Sequence, residues 1–204
     1  MAEVRRITYT AFGNANTYLI SFAGEKDALL VDCSRSYKTV KKICDECGLE
    51  VKLVLLTHGH IDHILDVNKY KLDGARIAIH TLDADKLYTN KNLGSRFGLS
   101  IDPIEADVLL EEGNFDFNGH QIYVYHTPGH TAGGVTFDID GVLFTGDTLF
   151  KGTIGRTDFE DGDYSTLIRS LDKLKNYPDD TLVYPGHDAE TTIHIEKTYN
   201  PYFK

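Results

Sequence analysis

The 204-residue sequence has no tryptophan, one methionine, five prolines and three cysteines. Three cysteines (Cys33, Cys44 and Cys47) cannot pair completely. A disulfide-stapled secreted scaffold is therefore not expected, and a reducing, cytoplasmic setting is. Cys44 and Cys47 form a lone C-x-x-C in KKICDECG. A structural zinc site would need a second pair, and a thioredoxin-like pair would open a helix rather than close one, so these read as structural thiols. No stretch approaches the ~20 apolar residues needed to span a bilayer. The N-terminal MAEVRRITYTAFG has no apolar run behind its arginines, so no secretory signal is expected. Basic charge is short as well: 21 Lys and Arg against 31 Asp and Glu leave a net charge of −10. That balance argues against a nucleic-acid backbone or an anionic membrane as partner.

What is present is an ordinary globular composition, 41% hydrophobic and 25% charged, at a length suited to one well-filled domain. Apolar periodicity predicts strands at 4–10, 17–22, 27–32, 51–56, 76–80, 120–127, 134–138, 141–145 and 181–184. Helices are predicted at 36–47, 62–71, 82–88, 163–176 and near 191–198. The turn-rich segments 89–107 and 111–119 read as a central connection, and 151–163 as a second loop. Two sheets in one domain of residues 1–204, with helices over their outer faces, would bury these runs. The expectation is an α/β fold, a four-layer αββα sandwich.

Apolar runs repeatedly end in a residue able to bind a metal: LLVD at Asp32, LVLLTHGH at His58 and His60, YVYHTPGH at His130, VLFTGD at Asp147 and LVYPGH at His187. THGHIDH adds Asp62 and His63, so four nitrogen or oxygen donors fall within six positions. Imidazole and carboxylate suit zinc and related first-row metals. His58 and His60 alternate in an extended turn and can share one ion, completed by His130. Asp62 and His63 can face a second ion, completed by His187. Asp147 can give one oxygen to each, with the ions ~3.5–4 Å apart. Two divalent ions are expected, zinc first, with iron or manganese suited to the same donors; Asp62 and Asp147 are the candidate catalytic carboxylates. His80 reads as a surface strand-end residue, His120 and His194 as solvent-facing, His126 as a packed neighbour and Cys33 as a buried thiol. Tyr18, Tyr164 and Tyr184 are candidates for a substrate cleft or for the core.

Taken in order, Asp32, THGHIDH, TPGHT, FTGDT and YPGH resemble the motifs of the metallo-β-lactamase superfamily over nearly the whole chain. The resemblance implies a metallo-β-lactamase-type αββα fold, a dinuclear centre with the ligands named above, and Asp32 behind them orienting the loop. GDTLFKGTIGRTDF (146–159), YPGHDAETTI (184–193) and the late NPYF look most like the small glyoxalase II-like, or hydroxyacylglutathione hydrolase-like, enzymes. That implies a metal-dependent hydrolase acting on a small-molecule thioester such as a 2-hydroxyacyl-glutathione. Its implied mechanism is attack of a metal-bridging hydroxide on the thioester carbonyl, with thiolate leaving. Arg156 is the candidate substrate-binding residue, or else a loop arginine paired with Asp158 or Glu160. The longer C-terminal helical region that supplies basic residues to glutathione in full-length glyoxalase II is expected to be mostly missing after NPYFK. The alternative is a persulfide dioxygenase, which shares the scaffold and the GRTDF segment. There the resemblance implies a single Fe(II) on His58, His130 and Asp147.

Overall fold

The structure, a computed structural model, describes residues 2–10 and 13–204. Contacts divide the chain into two compact units, Met1–Leu109 and Leu110–Lys204. Among the described residues no helix is long and apolar enough to cross a membrane.

The first unit is built on a mixed sheet of β1 (Ala2–Tyr9), β2 (Ala15–Phe22), β3 (Asp27–Val31), β4 (Glu50–Leu55), β5 (Arg76–His80) and β6 (Val108–Leu110), in that spatial order. β1, β2 and β3 pair antiparallel, whereas β3, β4 and β5 run parallel. Parallel strands need crossovers, supplied by α1 (Tyr37–Cys47) and by α2 (Ile61–Ile64) with α3 (Val67–Leu72). α1 turns Val40 and Cys44 inward, one turn apart, and stops where Gly48 takes a left-handed conformation. Leu53, Val54, Leu55 and Leu56 are all fully buried, so β4 reads as a continuous apolar run covered on both faces. The parallel set places Asp32, Thr57 and His80 at one end of the sheet.

The second unit orders its sheet β14-β13-β10-β9-β8-β7, from β7 (Gly113–Phe117), β8 (His120–His126), β9 (Val135–Ile139), β10 (Val142–Gly146), β13 (Leu182–Pro185) and β14 (Thr191–Thr192). A separate small hairpin joins β11 (Leu149–Phe150) to β12 (Thr153–Ile154), and the helices are α4 (Tyr164–Asp172) and α5 (Ile193–Tyr199). β8 and β10 are both antiparallel to β9, and β13 is parallel to β10. The strands β8, β10 and β13 therefore run the same way and deliver their C-terminal ends to one edge of the sheet. Leu143, Leu149, Leu171, Leu174, Val183, Ile193 and Phe203 form a core cluster, so Phe203 of the NPYF segment is a packing residue.

Several expected elements are corrected. The segment 111–119 contains strand β7, paired with β8 through a tight turn in which Asn118 and Gly119 both have positive φ, 53° and 90°. Asn-Gly is the side-chain chemistry such a hairpin asks for, and Asp140-Gly141 repeats it between β9 and β10. In each, an aspartate accepts from the turn glycine: Asp116 from Gly119 at 3.2 Å, Asp138 from Gly141 at 2.9 Å. The helix expected at 62–71 is broken, because the Asp66 N–H is taken by Cys33 O at 3.0 Å and its carboxylate accepts from the Tyr37 N–H at 2.8 Å. Residues 81–87 form a 3₁₀ rather than an α-helix, and the loop 151–163 begins with β12.

Candidate metal centre

In the first unit the apolar strand β4 runs into Thr57-His58-Gly59-His60 and then the single turn of α2. His58, His60 and His63 are buried and Asp62 is half-buried. The rings of His58 and His60 lie edge to face with centroids 4.8 Å apart, and those of His58 and His63 are 4.2 Å apart. Candidate ligand atoms of His58 and His60, of His58 and His63, and of Asp62 and His63 lie within 4.8 Å of each other.

Asp32 organises this group. Its backbone has a φ of 59°, unusual for a residue with a Cβ, and the residue is 1% exposed. Oδ1 accepts from Thr57 N at 2.8 Å, and Oδ2 accepts from Thr57 Oγ1 at 2.8 Å and from His63 Nδ1 at 2.8 Å. An ionised carboxylate only accepts, so His63 carries its proton on Nδ1 and leaves Nε2 for a metal. Thr57 has one hydroxyl proton, committed to Asp32. The 3.1 Å contact between Thr57 Oγ1 and His58 Nδ1 must then use the His58 proton, which leaves His58 Nε2 as the ligand atom. One carboxylate thus fixes the tautomers of two histidines, as carboxylates behind metal-binding imidazoles generally do.

In the second unit the three candidate ligands follow the co-directional strands β8, β10 and β13. His130 and Asp147 are buried, His187 half-buried. Asp147 Oδ2 lies 3.3 Å from His130 Nε2 and 3.5 Å from His187 Nε2. His130 Nδ1 donates to Arg156 O at 2.8 Å; a carbonyl can only accept, so Nε2 again faces a ligand. The GRTDF segment makes this possible. A Cβ at Gly155 would stand 1.8 Å from Asp147 O, so only glycine lets the chain pass there. Phe159 packs edge-on to the His130 ring at 6.0 Å.

Arg156 donates twice to the Asp158 carboxylate, at 2.7 and 2.6 Å, and its guanidinium lies 4.2 Å from the Phe159 ring centroid. Hydrogen bonding from Arg156 holds the Asp158 carboxyl down at about 2. The side chain is thus paired with Asp158, and the Arg156 carbonyl has a role that the sequence did not announce.

Other expectations sort individually. His80 is corrected: it is 6% exposed, and its Nδ1 accepts from Leu82 N at 3.3 Å as the cap of the following 3₁₀ turn. His120 is half-buried; His194 is exposed beside Asp179 at 3.5 Å. His126 packs with Nε2 2.9 Å from Ala132 O. Cys33 is buried, and burial pushes its thiol well up. Cys44 and Cys47 are both free thiols, Cys44 buried and Cys47 exposed with Arg5 Nη1 donating to its sulfur at 3.0 Å. Tyr18 is a core residue at 1% exposure, Tyr184 stacks on Phe144, and Tyr164 is exposed. Thr57, Gly155 and Phe159 are the supporting residues that sequence reasoning missed. Only the motif spacing of Thr57, one residue before His58, could have pointed to any of them.

Nitrogen and oxygen donors held this way, with the second nitrogens of His58, His63 and His130 occupied, form His and Asp clusters able to hold divalent metal ions. Comparison with known proteins agrees. Residues 10–187 match the metallo-beta-lactamase superfamily profile. The chain is 37% identical, over 98% of its length and 97% of the relative's, to a protein named hydroxyacylglutathione hydrolase GloC from Haemophilus influenzae. Among solved structures it is similar to BLEG-1 B3 metallo-beta-lactamase, with a TM-score of 0.92, 31% identity, and 99% of this chain and 100% of that one covered. It is also similar to TTHA1623 in a di-iron-bound form, with a TM-score of 0.85, 30% identity, and 98% and 100% covered. The expected fold is borne out: the chain belongs to the metallo-β-lactamase superfamily and is a metallo-hydrolase of that kind.

Proposed function

We propose that the chain is a dinuclear metal-dependent thioesterase, acting on a 2-hydroxyacyl-glutathione or a related small thiol ester in the cytoplasm. In this reading residues 1–204 work as one catalytic domain. His58, His60 and His130 would hold one ion and Asp62, His63 and His187 the other, with Asp147 able to serve both. The observation that carries the reading is the position of Asp147 Oδ2, 3.3 Å from His130 Nε2 and 3.5 Å from His187 Nε2. Histidines from two different strand ends address one carboxylate oxygen, as they would around a ligand shared by two ions. The name carried by the Haemophilus influenzae relative supports the substrate class.

When bound, two such ions lower the pKa of water toward ~7 and polarise an acyl carbonyl. The chain's own residues orient and bind. Asp32, directly and through Thr57, keeps the Nε2 lone pairs of His63 and His58 available. The Arg156 carbonyl does the same for His130. The Arg156 side chain, exposed and tied to an equally exposed Asp158, is assigned to an anionic group of the substrate; a surface pair contributes so little that exchanging its carboxylate costs little.

The test is metal content per chain, with turnover of S-lactoylglutathione and oxygen uptake on glutathione persulfide. The expected result is about two ions per chain, thioester cleavage and no oxygen uptake. One iron per chain with rapid oxygen consumption would replace the proposal with the dioxygenase reading. Two ions with neither activity would overturn the substrate assignment alone.

A further inference from the structure

Beneath the His58-Gly59-His60 turn lies an ion pair that the reaction does not call for. Asp83 and Lys86, on the 3₁₀ turn Thr81–Leu87, are 0% and 2% exposed. Lys86 Nζ is 3.0 Å from Asp83 Oδ1. The other carboxylate oxygen, Oδ2, accepts the Gly59 N–H at 2.9 Å. The lysine stem closes on the same residue, since a Cβ at Gly59 would stand 2.5 Å from Lys86 Cβ and 2.7 Å from Cδ. The turn is itself braced: Asn92 Nδ2 donates to Lys86 O at 3.0 Å, and Asn92 Oδ1 accepts from Gly94 N at 2.9 Å. A Cβ at Gly94 would come within 3.1 Å of Ile61 Cγ1, the residue following His60.

Burying two charges is rarely a route to stability, because well-packed apolar residues usually do as well or better. What an apolar pair could not provide is an acceptor for the Gly59 N–H. A carboxylate placed there alone would be an uncompensated buried charge, and Lys86 removes that penalty while walling the glycine from the other side.

We infer that Asp83 and Lys86 are positioning residues for the first metal, locking Gly59 so that His58 and His60 are set before any ion binds. The inference deepens the dinuclear reading and rests on it.

Two double variants separate the acceptor from the charge. D83N/K86M removes both charges and keeps an oxygen for Gly59. D83L/K86M removes both charges and the acceptor. Co(II) affinity is measured by competition with a chromophoric chelator, alongside the visible Co(II) spectrum. D83N/K86M is expected near wild type. D83L/K86M is expected about ten- to a hundredfold weaker at one ion, the range for lost support behind a ligand, with an altered spectrum. Equal affinities and spectra in the two variants would overturn the inference, since a merely structural pair would leave both unmoved. If D83L/K86M does not fold, hydrogen exchange in metal-free wild type decides. A Gly59 amide that exchanges slowly supports a preset turn, and one that exchanges like an open loop overturns it. A wild type that takes up no Co(II) would instead sink the dinuclear reading, while the exchange rate still reports on the turn.

Discussion

The two units present their candidate ligands by different means. In Met1–Leu109 four donors come from the six positions between His58 and His63, on a turn and a one-turn helix that no strand ladder holds. Buried carboxylates hold them instead: Asp32 behind Thr57 and His63, and Asp83 behind Gly59. In Leu110–Lys204 three donors come from the ends of three strands whose pairing already aims them at one edge. There a single backbone carbonyl, Arg156 O, and a missing Cβ, at Gly155, complete the arrangement. The first set is braced by charge and the second by shape. A contiguous motif saves sequence but has to be held by polar groups from elsewhere, whereas scattered ligands inherit their geometry from the sheet.

The largest expected effect ignores this difference. Asp147→Ala should reduce hydrolysis to background and lower metal content at both ions, because the shared oxygen is lost; near-normal activity would end the bridging assignment. Next comes the contrast itself. Asp32→Asn keeps shape and changes charge, so it should weaken metal binding about ten- to a hundredfold while costing about 1–3 kcal/mol of stability for a mispaired buried group. Gly155→Ala keeps charge and changes shape. With its Cβ forced onto Asp147 O, the hairpin must shift at a cost of about 1–3 kcal/mol, and because Asp147 is assigned to both ions, metal should be lost at both. Chelator titration and thermal denaturation of the pair check both. If Asp32→Asn were silent and Gly155→Ala severe, the charge-braced description of the first unit would be wrong.

The same difference explains what could be read from the sequence. Metal ligands are drawn from a few donor types whatever fold carries them, so the candidate ligands in THGHIDH, TPGH, TGD and PGH stood out, as did Asp32 through its place at a strand end. The braces were not. Asp83 and Lys86 lie more than twenty residues from Gly59 and look like any helical acid–base pair; their burial depends on how the chain folds back. Gly155 looks like one more loop glycine until Asp147 O is placed beside it. NPYF carried a family resemblance, but its structural content emerges only from the fold: Phe203 fills the core, and the fully buried Asn200 donates to Thr153 O at 3.0 Å and to Glu196 Oε2 at 2.7 Å. Strand β7 is a different case, because the Asn118-Gly119 turn announced it and its apolar alternation, N-F-D-F, was too short to stand out.

That Asn200–Glu196 network offers a smaller test of the shape-braced unit. Glu196 Oε2 also accepts from Gly152 N at 2.9 Å, so the two residues pin the β11–β12 hairpin that leads to Gly155. Asn200→Ala should cost about 1–3 kcal/mol for the buried partners left unsatisfied, lowering the melting temperature while leaving metal content intact. Loss of metal in a folded Asn200→Ala would mean the hairpin transmits to the ligands more directly than packing alone allows.

The smallest expected effect concerns Asp163, an exposed aspartate in the second unit whose backbone meets a candidate ligand loop. Asp163 caps α4: its Oδ1 accepts from Thr166 N at 2.7 Å and from Ser165 Oγ at 2.7 Å, and its own N–H donates to Gly129 O at 2.9 Å, inside the TPGH turn. Hydrogen bonds from Thr166, then Ser165, hold the Asp163 carboxyl at about 2, against about 3.9 in an unfolded chain. A folded-state value below the unfolded one stabilises above pH ~4 and is lost as pH falls through ~2. The melting-temperature gap between wild type and Asp163→Ala should therefore be full at neutral pH and shrink from about pH 4 downward. Asp163→Asn, which can still cap, should show little gap at neutral pH. A wild-type-to-Ala gap that stays constant into the acid range would mean that the capping geometry matters and the charge does not, extending the shape-braced character of this unit even to its aspartates.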